Sequence, residues 1–143
     1  MSIRQISIFL ENRCGRLREI TDVLAKAGIN IRAISLADTS DFGILRIIVN
    51  KPDEAMACLR EARFTISETE VLAVEVEDRP GGLAKIVALF ASAGIGVEYM
   101  YGFVEKSGEH ALMIFRVEGI DIAVDVLREK GVRLLTGSEV YAL

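Results

Sequence analysis

The 143-residue sequence has no tryptophan, one histidine, two prolines and two cysteines. Two cysteines, Cys14 and Cys58, cannot form a disulfide framework, and they point to a reduced, cytoplasmic setting. The lone His110 has neither cysteine nor a second histidine at ligand spacing, so neither a metal nor another cofactor is expected. No uninterrupted apolar run reaches the ~18 residues of a membrane helix. The opening MSIRQISIFLENRCG is broken by charge and lacks the apolar core of a signal peptide. Basic residues are not in excess: 17 Lys and Arg against 21 Asp and Glu leave a net charge of −4. The two signs are interspersed, which argues against nucleic acid as a partner.

What the chain does have is a statement made twice. ENRCGRLREITDVLAKAGINI, Glu11 to Ile31, returns as EDRPGGLAKIVALFASAGIGV, Glu77 to Val97. A repeat of about 70 residues indicates two small modules, 1–70 and 71–143. A module of that size buries only about 60% of its unfolded surface, so two gain by packing together or against a second chain. The 51% hydrophobic content agrees with buried interfaces.

Each copy opens with alternating apolar residues: Ile6, Ile8 and Leu10, then Leu72, Val74 and Val76. After a tight loop the period lengthens to about 3.6. Leu17, Ile20, Val23, Leu24 and Ala27 share one helical face, as do Leu83, Ile86, Val87, Phe90 and Ala93. Gly28 and Gly94 stand where a left-handed helix cap is wanted. Two strands follow in each copy, joined by turns containing Ser40, Asp41 and Gly43, or Lys106, Ser107 and Gly108. A second helix carries LRE in both copies, and EVYAL, Glu139 to Leu143, answers EVLAV, Glu70 to Val74, as a closing strand. No Gly/Ser/Pro linker separates the copies. The fold class is therefore α+β: two ferredoxin-like βαββαβ modules, each a four-stranded antiparallel sheet with both helices on one face.

The repeated loop is the candidate site. Backbone N–H groups at a helix N-terminus, with glycine to admit a ligand, suit a carboxylate. The second loop offers Pro80, Gly81 and Gly82 behind Asp78; the first has Asn12, Cys14, Gly15 and Arg16 at the matching places. A structural reading stands beside this one, with Asn12 and Asp78 as helix caps and Gly15 and Gly81 as turn formers.

DRPGGL with its helix and AGI, inside a βαββαβ unit, resembles the ACT domain, and ENRCGRL…AGINI is a second copy. The resemblance covers essentially the whole chain, and the expectation it carries is a stand-alone tandem pair with no catalytic domain attached. It implies a non-catalytic regulator that binds a small amino acid between two modules. The implied contacts are the loop after the first strand and the start of the second strand of the paired module. Matched residue by residue, these are Asn12, Gly15 and Leu17 in one loop and Asp78, Gly81 and Leu83 in the other. Asn30 and Ile31, or Gly96 and Val97, stand at the strand starts. Gly96 replaces the asparagine, so two sites would not be equivalent. Cys14 in place of proline loosens the first loop, and Arg16 puts a side chain where the second loop has none. Arg16 is read first as a solvated surface residue, second as a carboxylate ligand.

Exposed sheet edges and the apolar composition suggest a homodimer or higher assembly, and an enzyme regulated in trans is the further partner expected. Two other functions are weighed: an assembly module without ligand, and an acylphosphatase-like hydrolase using Arg13 and Asn30, whose glycine-rich loop is missing. Cys14, between Arg13 and Arg16, is either a redox-sensitive thiol or a small residue filling the proline position. Tyr99, Tyr101 and Phe103 alternate on one strand face, as packing residues rather than base-stacking platforms.

Overall fold

The computed structural model describes residues 2–11, 13–38, 41–104 and 109–143. Asn12, and the turn residues Ser40 and Lys106 to Gly108, lie outside the described residues. The elements run β1 (Ile3–Glu11), α1 (Arg16–Lys26), β2 (Ile31–Asp38), β3 (Phe42–Val49), α2 (Pro52–Glu61) and β4 (Thr65–Glu77). They continue as α3 (Gly82–Ser92), β5 (Val97–Val104), β6 (His110–Val117), α4 (Ile120–Glu129), β7 (Leu134–Leu135) and α5 (Gly137–Tyr141). Two compact units result. One joins Arg4–Thr69 with Val140–Leu143; the other joins Met1–Ile3 with Glu70–Glu139.

In the first unit the strand order is β2-β3-β1-β4, and β3 pairs antiparallel with both β1 and β2. Alternation puts Ile6, Ile8 and Leu10 of β1 on one face with Leu45, Ile47 and Val49 of β3. Ile20 and Leu24 of α1 and Ala55, Met56 and Leu59 of α2 close over that face. In the second unit the order is β7-β4-β6-β5. Leu72, Val74 and Val76 meet Ile86 and Phe90 of α3 and Ala123, Val124 and Leu127 of α4. Phe90 and Phe115 pack edge to face, with ring centres 5.2 Å apart, at the middle of this core. Both units are thus βαββαβ modules. β4 is a single 13-residue strand whose first residues belong to one unit and the rest to the other.

The first four helices end the same way. Gly28, Arg63, Gly94 and Gly131 each take a positive φ of 67–72°. Ile29, Phe64, Ile95 and Val132 then each donate an N–H back to a carbonyl five residues earlier. This Schellman geometry supplies the last carbonyls with donors and turns an apolar residue inward. Only Arg63 holds the left-handed position without being glycine.

The chain's last segment departs from the sequence expectation. Glu139 to Leu143 do not form a strand; the closing strand is Leu134–Leu135, and Gly137–Tyr141 is a short helix. The cause is a reciprocal cap. Glu139 N–H donates to Thr136 Oγ1, and Thr136 N–H donates to Glu139 Oε1, each at 3.2 Å. This T-x-x-E capping box starts a helix where the internal repeat predicts a strand.

Candidate functional site

Both repeated loops enter their helices through a left-handed glycine. Gly15 has φ 92° and Gly81 φ 88°, and each is the N-cap of its helix, with no side-chain hydrogen bond to the cap among the described residues. Asp78 is therefore not the side-chain cap of α3, which corrects that reading; its own N–H donates to the Glu109 carbonyl. Glu19 N–H reaches Gly15 O and Lys85 N–H reaches Gly81 O, which starts both helical ladders. Leu17 and Arg18, and Leu83 and Ala84, thus present first-turn amides that no helix carbonyl can satisfy. Their dipoles favour an anion.

The two loops differ where their sequences differ. Gly82 N–H closes a turn onto Arg79 O at 3.0 Å, and the corresponding Arg16 N–H reaches Arg13 O at only 3.5 Å. Gly82 is buried, and a Cβ there would overlap the Glu77 carbonyl oxygen. Arg16 carries a side chain at that position in the looser turn. The side chain is 18% exposed, binds Glu19 at 2.6 Å and lies 4.6 Å over the Phe64 ring. Its Nε is buried without a hydrogen-bond partner. Arg16 is thus mostly buried, not the solvated surface residue expected. With Arg13, Leu17 and Leu36 it lines an open cleft of about 380 Å³.

The remaining predicted residues are placed as follows. Cys14, Gly15, Asp78, Pro80 and Gly81 are exposed on their loops. Leu17 and Leu83 hold matching positions, 40% and 38% exposed, so each loop ends in an accessible apolar side chain. Exposed Asn30 is tied through its backbone, its N–H donating to Asn50 Oδ1 and its carbonyl accepting Asn50 N–H. In the second unit the Gly96 carbonyl accepts Glu118 N–H in the same role. Ile31 and Val97, half-buried, begin β2 and β5 and pack against their own cores. Within the first unit, Arg16 and Leu17 come together in one cleft, which Asn30 does not line.

The second unit holds a feature the sequence did not reveal. A cleft of about 180 Å³ opens between β4, the start of α3 and the end of α4. Glu75, Gly82, Lys85, His110, Lys130 and Arg133 line it. Arg133 bridges Glu75 and Glu139 at 2.7 Å each, and His110 lies 3.3 Å from Glu75. The Arg133 guanidinium is held more firmly protonated by its hydrogen bond to Glu75. Backbone amide donation from Thr136 holds the Glu139 carboxyl below its usual range. These residues come from separate elements, so no local motif joins them. Among the described residues no group of three or more His, Cys, Asp or Glu could hold a metal ion. Nor is any helix long and apolar enough to cross a membrane.

Comparison with known proteins places this geometry. A family model for the ACT domain pair matches residues 1–143. A crystal structure of protein BT0572 from Bacteroides thetaiotaomicron is 42% identical, with TM-score 0.95 over 100% of this chain and 98% of that one. The ligand-free regulatory subunit of aspartate kinase from Thermus thermophilus shares 19% identity and TM-score 0.63, covering 88% and 91%. Its Thermus flavus counterpart shares 16% identity and TM-score 0.64, covering 88% and 90%. Among curated proteins none matches. The duplicated strand–glycine loop–helix, the two βαββαβ modules and the whole-length match together establish that this chain belongs to the ACT domain pair family.

Proposed function

We propose that the chain is a non-catalytic regulatory protein that binds a small amino acid between ACT modules and passes the bound state to a partner. The observation that carries this reading is the duplicated helix entry through a left-handed glycine, with first-turn amides that no side chain caps among the described residues. The Leu83 and Ala84 amides take the ligand carboxylate, and Asp78 takes its ammonium. Leu17 and Leu83 offer the apolar contact. The second loop is the better site, because Pro80 and Gly81 are exposed there with no side chain at position 82, whereas Arg16 lines the cleft beside the first loop. The paired contact is Asn30 and Ile31 in this reading, with Gly96 and Val97 serving the first loop. The partner is an enzyme regulated in trans, and the assembly is a homodimer or larger.

Thermal unfolding with each common amino acid at millimolar concentration tests this. A ligand at 100 times its Kd stabilises by about 2.7 kcal/mol, a rise of several degrees at this size. Selective stabilisation by one amino acid or a few related ones, lost in Asp78→Ala, is expected. A response to none of them sinks the reading and leaves assembly without a ligand.

A further inference from the structure

The cleft between β4, α3 and α4 in the second unit lies outside the residues assigned to amino-acid binding, apart from Gly82 on its wall. Its charges do not cancel. Of the two carboxylates, Glu75 is engaged by Arg133 at 2.7 Å and by His110 at 3.3 Å. Glu77 is paired with Arg79 at 2.5 Å. Lys85 and Lys130 remain. Among the described residues neither has a carboxylate within 4 Å, although they approach the same cleft from different helices. Lys85 lies in the first turn of α3, and Lys130 is the C-cap of α4.

Two like charges converging on one concavity raise its positive potential and draw in a counter-ion. The walls are preformed. Glu75 N–H is fixed to the Arg133 carbonyl, and Gly131 and Val132 are held in the Schellman turn that ends α4. The Glu75 side chain, 16% exposed, anchors Arg133 from beneath, so that cation is positioned without tying up either lysine. A volume of about 180 Å³ holds a small oxyanion but no large cofactor.

From this convergence of Lys85 and Lys130 on a preformed cleft, we infer that the second unit binds a small oxyanion, a phosphate or a dicarboxylate. The two ammonium groups are its principal contacts. This site shares only Gly82 with the one that takes the amino acid, and its test does not depend on that reading.

The test is a titration of the full chain in low-salt buffer with sodium phosphate, with sodium succinate, and with sodium chloride at matched ionic strength. It is followed by thermal unfolding and by backbone amide NMR. Saturable stabilisation by phosphate or succinate beyond chloride is expected, with the largest amide shifts at Gly131 and Val132. The more effective anion identifies the source. Lys85→Gln with Lys130→Gln should weaken the response at least tenfold, while Lys26→Gln, an exposed lysine on α1, should leave it unchanged. Asp78→Ala should also leave it unchanged, which separates it from amino-acid binding. Both lysines are exposed, so folding should survive their replacement; a double Lys→Arg variant that keeps the response checks this. Equal responses to chloride and to the oxyanions, or an undiminished response in the double glutamine variant, would overturn the inference.

Discussion

The carbonyl oxygen of Glu77 stands where a side chain on Gly82 would have to begin. Gly82 therefore serves the tight turn into α3 by lacking a Cβ, even though alanine is the better helix former by about 1 kcal/mol. Gly82→Ala should cost about 1–3 kcal/mol, because backbone must move to admit the methyl group. Urea unfolding of the variant checks this, and an unchanged midpoint would show that the turn has room.

Arg63 is the natural opposite. It holds φ 67° at the end of α2, where the other three Schellman turns have glycine. The left-handed conformation costs a residue with a Cβ roughly 1–2 kcal/mol, partly offset by the greater unfolded-state freedom of glycine. Arg63→Gly should therefore stabilise the protein by about 0.5–1 kcal/mol, read as a higher denaturation midpoint.

Thr136 and Glu139 satisfy each other's backbone amides at the start of α5. Thr136→Ala removes one side of that exchange and should cost about 1 kcal/mol. Hydrogen exchange should quicken over residues 137–141 before it does so in α4. Uniform acceleration through both helices would show that the cap is not a local device.

Acid should weaken the fold through two exposed carboxylates. Hydrogen bonding from Arg4 holds Asp53 below its usual 3.8, and the Thr136 amide, with Arg133, holds Glu139 below 4.5. Each folded value lies below the unfolded one, so the contribution is complete above about pH 4.5 and is lost as pH falls through the folded values. Arg4→Met should flatten the acid limb of the stability curve and leave neutral-pH secondary structure intact. Because these groups are exposed, 0.5 M salt should shrink the same effect.

Much of the fold could be read from the residues because local signals agree with the final packing. The shift in period from two to 3.6 at Leu17 and Leu83, and glycine at 28 and 94, mark strand, helix and cap. The repeat misled at Glu139. There EVYAL resembles EVLAV, but the Thr136 capping box outweighs the likeness, and the strand is the preceding Leu134–Leu135. At the loops, glycine rather than Asp78 caps the helix, since a side-chain cap needs an extended backbone at the position that Gly81 holds left-handed. The burial of Arg16 depends on Phe64, which is remote in sequence. The Lys85 and Lys130 cleft was invisible for the same reason: proximity in space leaves no trace in spacing along the chain.

Tyr141 ties the first unit together from far away. Arg4 N–H donates to its hydroxyl across 137 positions, and Arg32 Nε donates to its carbonyl at 3.0 Å. A ribosome makes β1 and β2 long before it makes that tyrosine. The first half can collapse around Ile8 and Leu45 during synthesis, but these two bonds must wait until the second half has been translated. The module that is born first is thus completed only after the second has been made, and a pause or break in translation ahead of Tyr141 would leave the older module unfinished.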